Sequence, residues 1–170
     1  MSKNIAIPWS FLWHPVHFLA LGLGSGMPRF MPGTWGTLAG LLIFIGLDAV
    51  CGPIGWITHL TFVLVTTVLG VYLCDKTARD LGVHDHGGIV WDEFVGIWLT
   101  LMFVPMTWFW LLAAFLLFRV FDILKPPPIR WIDQKVTGGW GIMLDDLIAA
   151  VFAWLSVQGL IWMTTAAGVL

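Results

Sequence analysis

The sequence predicts an all-α protein, a polytopic helical bundle in the membrane with about five spans and an N-terminal surface or re-entrant helix. Apolar residues make up 59% of the chain and charged residues 11%, whereas soluble domains hold about 45–50% and about 25%. Several uncharged runs also approach the ~20 residues that an α-helix needs to cross the ~30 Å hydrocarbon layer. The length suits a single domain over residues 1–170.

The predicted spans follow from the positions of charged residues, glycines and prolines. They cover residues 35–50, 54–74, 91–104, 107–124 and 147–163. The third and fourth come from one uncharged stretch, 94–118, which Pro105 divides because proline interrupts a helix. Pro8 and Pro15 disfavour a straight span near the N-terminus, so residues 16–22 are predicted to form the surface or re-entrant helix.

The basic residues predict the orientation of the bundle, because cytoplasmic loops hold an excess of Lys and Arg. All eight basic residues map to one side of the predicted spans, and nine of the ten acidic residues lie with them. Asp48 alone lies on the other side. We therefore expect a cytoplasmic face rich in carboxylates. The sequence has no basic run or aromatic–basic stripe, so nucleic acid is not an expected partner.

The first polar segment at this face is glycine-rich and covers residues 22–37. It contains Thr34 and Thr37, either of which is predicted to cap the first span. A helix N-terminus offers free N–H groups and the positive end of a dipole to a phosphate. A glycine-rich turn that binds no ligand is an equally weighted alternative.

The second polar segment covers residues 84–93. His84 and His86 flank Asp85, and Asp92 and Glu93 are predicted to begin the third span. The alternative is a solvated loop followed by an acidic helix start. A charged cluster next to hydrocarbon needs partners or ions, which favours a functional role.

The third polar segment runs from residue 119 to residue 146. Arg119, Asp122 and Lys125 are spaced so that neighbouring members share one helix face. Asp122 lies near a helix C-terminus, where the dipole disfavours anions, so Lys125 or a metal ion is expected to compensate it. Asp145 and Asp146 are predicted to begin the last span.

The chemistry of these segments favours a hard metal ion. Carboxylates without cysteine ligands suit Mg²⁺, which typically takes one or two carboxylates together with water and phosphate oxygens. A histidine close by would transfer protons near neutral pH. The attack on phosphorus is left open between Asp85 as a covalent nucleophile and a water activated by the metal.

The same segments resemble the phosphatidylglycerophosphatase A family of bacterial inner-membrane enzymes. The matching stretches are residues 24–28 with 32–37, then 83–98, 119–129 and 138–146. The resemblance implies Mg²⁺-dependent removal of the terminal phosphate of phosphatidylglycerophosphate, giving phosphatidylglycerol and inorganic phosphate. It also implies an all-helical, multi-pass protein of the inner membrane, with membrane lipids around it and a phospholipid as substrate. A homo-oligomer is left open.

The resemblance carries the functional positions over by motif, and we assign their roles from residue chemistry. The predicted metal ligands are Asp92, Glu93, Asp122, Asp145 and Asp146. The predicted catalytic residues are His84, Asp85 and His86, with one histidine rather than both expected to transfer the proton. The predicted substrate-binding residues are Arg119 and Lys125, together with Thr34 and Thr37, which come from the glycine-rich segment and not from the carried-over positions.

Two other functions compete with this hypothesis. Asp75, Ala78 and Arg79 loosely resemble the first motif of CDP-alcohol phosphotransferases, but that block is one residue short and Gly96 stands where the last aspartate belongs. That function alone requires a CDP-linked substrate. An ion or metabolite transporter would need a polar route through the membrane. The charges at one face leave no such route through spans one and two.

Overall fold

A computed structural model describes residues 6–168 and shows only helices and turns in that range. Two 3-10 turns lie near the N-terminus, at Trp9–Trp13 and Gly22–Gly24. The α-helices are α1 (Pro15–Ala20), α2 (Pro32–Cys51), α3 (Trp56–Leu81), α4 (Trp91–Thr100), α5 (Trp108–Leu124), α6 (Ile129–Lys135) and α7 (Gly138–Ala166). The predicted all-α class is therefore confirmed.

Three helices are long and apolar enough to cross a membrane, namely α2, α3 and α7. At 1.5 Å per residue, the 17 residues of α5 reach about 25 Å. The 10 residues of α4 reach only about 15 Å, so the predicted third span is too short to cross the bilayer. The predicted count of about five crossings is therefore not confirmed. The protein is nonetheless a membrane protein of several helices.

The short helix α4 lies at the centre of the bundle. It packs against α2, α3, α5 and α7, and seven of its ten residues are buried. A helix that is apolar all round needs such a position, because every face must be covered. The other helices expose large apolar side chains outward, Leu42, Leu64, Leu116 and Trp162 among them. α4 is thus an inner helix that the outer helices separate from lipid.

Glycines of the first polar segment make room for the start of α4. A Cβ atom on Gly36 would lie 2.6 Å from the Cβ of Val90, and one on Gly22 would lie 2.6 Å from a methyl group of the same side chain. A Cβ on Gly26 would collide with the carbonyl group of Gly88. Val90 also donates its backbone N–H to Ala20 O at 2.9 Å. These glycines therefore serve close packing against α4.

The predicted cap of the first span is wrong. α2 begins at Pro32 after Met31, whose backbone is left-handed, and no side chain caps the helix. Thr37 instead donates its hydroxyl to Gly33 O, one turn back inside the helix. Proline suits the first helical position because its missing N–H is not needed there.

The last helix begins earlier than the predicted boundary at residue 147. α7 starts at Gly138, so Asp145 and Asp146 lie two turns inside it and do not begin it. Asp75 of α3 explains this difference, since its carboxylate accepts the backbone N–H of Gly139 at 3.2 Å. The contact stabilises a helix start that contains Gly138, Gly139 and Gly141, and glycine is a poor helix former.

We expect Gly36→Ala to destabilise the protein by about 1–3 kcal/mol, because the added methyl group overpacks the contact with Val90. Gly46→Ala is the matched control in the same helix, since nothing lies within 4 Å of its added Cβ. Thermal unfolding of both purified variants in detergent measures the difference. Equal melting temperatures for the two variants would contradict the proposed packing role.

Candidate active site

Carboxylates from three helices meet near one end of the bundle. Asp92 and Glu93 lie in the first turn of α4. Asp122 lies in the last turn of α5, and Asp145 and Asp146 are buried within α7. The structure therefore brings together all five residues predicted as metal ligands.

Asp92, Glu93 and Asp146 form the tightest group. Each offers one oxygen atom, and these atoms lie within 4.8 Å of one another. This limit admits the roughly 3–4 Å that separates oxygen ligands of one Mg²⁺ ion with bonds of about 2.1 Å. Oxygen atoms of all three, namely Asp92 Oδ1, Glu93 Oε2 and Asp146 Oδ2, are buried without a hydrogen-bond partner among the described residues. The residues therefore fit a divalent cation with oxygen ligands.

Arg119 neutralises one side of the cluster. Its Nη1 atom donates to Asp122 Oδ2 at 2.5 Å and to Thr37 Oγ1 at 3.3 Å, and it lies 4.0 Å from Glu93 Oε1. The expected compensation of Asp122 by Lys125 is therefore wrong. Arg119 lies one helical turn before Asp122 and pairs with it directly. Lys125 follows the last residue of α5 and pairs with Asp133 and Asp145 instead.

Lys125 neutralises the other side of the cluster. It ends α5 with a left-handed backbone (φ 43°), and its Nζ donates to Asp145 Oδ2 at 2.5 Å and to Asp133 Oδ1 at 2.8 Å. Burial alone would lower the pKa of Lys125, but the two carboxylates raise it above its ordinary value. Lys125 is thus a fixed cation that joins α5, α6 and α7.

Asp133 is a site residue that the sequence analysis missed. It lies on α6, a helix that was not predicted, and it lines the cavity described next. Its position eight residues after Lys125 gave no local pattern, because the two meet only after three prolines turn the chain. The charge of Asp133 was the only available signal.

A cavity of about 470 Å³ opens beside the cluster. Residues 82–85 form one wall, and Asp92, Asp145 and Asp133 form much of the rest. His84 and Asp85 are both exposed at this cavity. The structure therefore places two of the three predicted catalytic residues next to the carboxylates.

His86 lies on a different side of its loop. It is buried, its Nδ1 accepts the backbone N–H of Gly88 at 3.0 Å, and it lines a second cavity with Arg29 and Trp9. The turn that follows Asp85, in which Ile89 donates its backbone N–H to His86 O at 2.8 Å, holds His86 on the side away from the carboxylates. The predicted catalytic triplet is thus divided between two cavities.

The two predicted substrate-binding threonines also differ. Thr37 is fully buried, and its hydroxyl group is engaged by Gly33 O and Arg119. It positions Arg119 and has no exposed surface for a substrate. Thr34 is half-buried, and its Oγ1 has no hydrogen-bond partner among the described residues. Thr34 is therefore the threonine whose buried hydroxyl group has no described partner.

The geometry indicates a site for a cation and a phosphate. Buried carboxylates this close repel one another, and removing them from water is costly unless cations compensate them. Arg119 and Lys125 together offset two of the five charges of the cluster. The negative charge that remains would attract a divalent cation, and a cation together with the two basic residues would attract phosphate oxygens.

Comparison with known families decides the class of this site. The sequence profile described as Phosphatidylglycerophosphatase A matches residues 18–161. The chain belongs to this family. All carboxylates of the cluster, both basic residues and the loop with His84 lie inside the matched range.

Two individual relatives carry the family's name, and a third carries the name of another lipid phosphatase. A protein of that name from Haemophilus influenzae is 49% identical over 90% of this chain and 93% of its own length. A protein of the same name from Escherichia coli is 47% identical over 89% of this chain and 86% of its own. A protein from Bacteroides thetaiotaomicron named putative phosphatidylinositol-3-phosphatase is 36% identical over 85% of this chain and 92% of its own. No solved structure matches the chain significantly.

We expect Lys125 and Asp145 to be energetically coupled. Lys125→Met should cost about 3–5 kcal/mol in metal-free protein, because it leaves the carboxylate of Asp145 buried without its cation. Lys125→Met combined with Asp145→Asn should cost less than the sum of the single changes, with a coupling of roughly 0.5–3 kcal/mol. Unfolding in detergent with a chelator measures the cycle.

The matched control cycle pairs Lys125→Met with Asp133→Asn. The Asp133 side chain is 39% exposed against 8% for Asp145, so solvent screening should keep that coupling to about 1 kcal/mol or less. Additive effects in the Asp145 cycle would mean that the ion pair does not stabilise the site.

Proposed function

We propose that this protein removes the terminal phosphate of phosphatidylglycerophosphate, giving phosphatidylglycerol and inorganic phosphate. The observation that carries the proposal is the buried carboxylate cluster beside the cavity with His84 and Asp85, in a chain that belongs to the phosphatidylglycerophosphatase A family. The names of the two relatives at 47% and 49% identity support the same activity. The family match favours this hydrolysis over both alternatives raised by the sequence.

The proposed cofactor is Mg²⁺. Asp92, Glu93 and Asp146 would hold the ion, and Asp122 and Asp145 are close enough to complete or support the ligand set. When bound, the ion would neutralise carboxylate charge and the charge that develops on phosphoryl oxygens. The unpartnered carboxylate oxygens support this assignment.

Basic and hydroxyl groups around the cluster would bind the phosphate. Two buried atoms, Arg119 Nε and Thr34 Oγ1, have no hydrogen-bond partner among the described residues. Both groups would donate to phosphate oxygens on the α2 side of the cluster. Lys125 uses two of its three N–H donors on Asp133 and Asp145, so its contribution is mainly to hold Asp145 and add positive charge.

His84 and Asp85 would act from the wall of the cavity. His84 is proposed as the proton-transfer group, since it lines the cavity and His86 does not. Asp85 has two candidate roles. As a nucleophile its carboxylate oxygen attacks phosphorus, the bond from phosphorus to the glycerol oxygen breaks, that oxygen gains a proton, and water then hydrolyses the aspartyl phosphate. As an orienting base it instead directs a water molecule to phosphorus.

The proposed location is the bacterial inner membrane, with the site at the cytoplasmic face. Arg119 and Lys125 lie within the site, and Lys76 and Arg79 lie at the end of α3 on the same side. Basic residues favour the cytoplasmic side of a membrane. A phospholipid substrate would enter from the surrounding lipid with its headgroup at this face.

We expect Asp146→Asn to lower phosphate release by ~100-fold or more, because losing a ligand removes several kcal/mol of charge stabilisation. The control is Asp48→Asn, an acidic residue in the opposite end of α2, which should change the rate little. Phosphate release from phosphatidylglycerophosphate is measured across a Mg²⁺ titration, and the other substrates tested are phosphatidate, lysophosphatidate and phosphatidylinositol 3-phosphate.

The same set of lipid substrates also separates phosphatase activity from CDP-alcohol phosphotransferase activity. Release of phosphate without any CDP-linked substrate is the result expected of a phosphatase. Full turnover in a chelator, or unchanged Mg²⁺ dependence in Asp146→Asn, would exclude the proposed metal site.

We expect His84→Gln to lower kcat by ~10²–10⁴-fold with a smaller change in KM, because a proton-transfer group acts mainly in the transition state. His86→Gln is the matched comparison in the same loop and should affect kcat less. Steady-state kinetics of the two variants separates the histidines. A larger loss of kcat in His86→Gln would reverse this assignment.

A rapid-quench experiment distinguishes the roles of Asp85. If Asp85 is the nucleophile, substrate labelled in its terminal phosphate should give a phosphoprotein that is stable in acid and cleaved by hydroxylamine. Asp85→Asn should then form no labelled phosphoprotein. An inactive Asp85→Asn variant without any trapped phosphoprotein in the parent enzyme would assign the attack to water.

A further inference from the structure

The helix α6 has two chemically different faces. Ile129, Ile132, Asp133 and Val136 recur at the spacing of one helix face. Ile129 is fully buried, and Asp133 and Val136 line the active-site cavity. The opposite face is exposed and consists of Arg130, Trp131, Gln134 and Lys135.

The exposed face of α6 carries only positive charge. Asp133 is the one acidic residue of the helix, and Lys125 pairs with it on the inner side. Arg130 and Lys135 form no ion pair with any described residue. The ammonium group of Lys135 lies 4.3 Å from the ring centroid of Trp131, which is 57% exposed. Two cations and an indole ring thus share one outward surface.

The position of α6 places this surface at the membrane boundary. The helix joins the end of α5 to the start of α7 and packs against α7. Ile123 and Leu124 just before it and Trp140 just after it are exposed apolar side chains. Exposed apolar side chains therefore flank α6 on both sides along the chain. Tryptophan is enriched at membrane–water interfaces, and basic side chains there attract anionic lipid headgroups.

We propose that the outer face of α6, formed by Arg130, Trp131, Gln134 and Lys135, binds the headgroups of anionic phospholipids. The cations contact the phosphate groups, and Trp131 lies at the level of the glycerol region. The inner face of the same helix forms a wall of the active-site cavity, so a bound lipid lies about one helix diameter, ~10 Å, from the site. The surface therefore enriches anionic lipids beside the cavity entrance.

A fluorophore at position 134 tests the proposal without using turnover. Gln134→Cys is made on a Cys51→Ser background, because Cys51 is exposed whereas Cys74 is buried. The full-length protein is labelled and placed in nanodiscs of phosphatidylcholine that contain either brominated phosphatidylglycerol or brominated phosphatidylcholine at the same fraction. Bromine quenches the fluorophore at short range, so the difference between the two lipids reports local enrichment.

Brominated phosphatidylglycerol should quench the fluorophore more strongly than brominated phosphatidylcholine does, and high salt should reduce this excess quenching. Each cation near an anionic surface strengthens local lipid binding roughly fivefold. The double variant Arg130→Gln with Lys135→Gln should therefore lower the local enrichment of phosphatidylglycerol by up to ~25-fold. Lys76→Gln with Arg79→Gln removes the same charge at the end of α3 and should leave the excess intact. Arg130→Lys with Lys135→Arg should also keep it.

Equal quenching by the two lipids, or an excess that persists in Arg130→Gln with Lys135→Gln, would overturn the proposal. Quenching by brominated phosphatidylcholine in every variant shows that α6 still lies at the lipid boundary and guards against misfolding. Because no step depends on phosphate release, the outcome is independent of the proposed enzymatic activity.

Discussion

The burial of mutually repelling carboxylates is the constraint on which the rest of this structure depends. Asp145 and Asp146 are buried inside a long apolar helix, and Asp92 and Glu93 begin a helix in the centre of the bundle. Such an arrangement is unfavourable in a medium that solvates charge poorly. It persists because Arg119 and Lys125 hold the cluster from opposite sides. The cations thus support the fold as well as the chemistry.

Close packing by glycine is the second requirement. α4 must lie inside the bundle to bring Asp92 and Glu93 to Asp146. The residues just before α4 therefore pack closely against glycines of the N-terminal segment. Larger side chains at Gly36 or Gly22 would displace Val90, two residues before Asp92. The glycine-rich segment therefore acts on the site through packing. Gly33 of the same segment lies against the site itself, since an added Cβ would come within 2.3 Å of Glu93 Oε1.

The sequence was sufficient for the class of fold and for the carboxylates that the structure brings together, although it missed Asp133. Apolar runs predicted both ends of α2 and α5 to within three residues, whereas α3 continues seven residues past its predicted end at residue 74. Charge placement grouped the carboxylates on one side. It failed where a tertiary contact decides the outcome. The partner of Asp122 depends on the reach of Arg119 against Lys125, and the start of α7 depends on Asp75 from a distant helix. The separation of His86 from His84 depends on how a loop packs between two cavities.

The charge of the site also constrains how a substrate can bind. Five carboxylates and two basic residues, Arg119 and Lys125, leave a formal charge of −3 around the cluster. One divalent cation reduces this to −1, and a dianionic phosphate ester would restore −3. Substrate binding is therefore favourable only with further positive charge, either a second cation or protons taken up by carboxylates. If the site holds a divalent cation, cation and substrate should strengthen each other's binding, because the cation offsets the repulsion between carboxylates and phosphate, and the phosphate adds negative charge that attracts the cation.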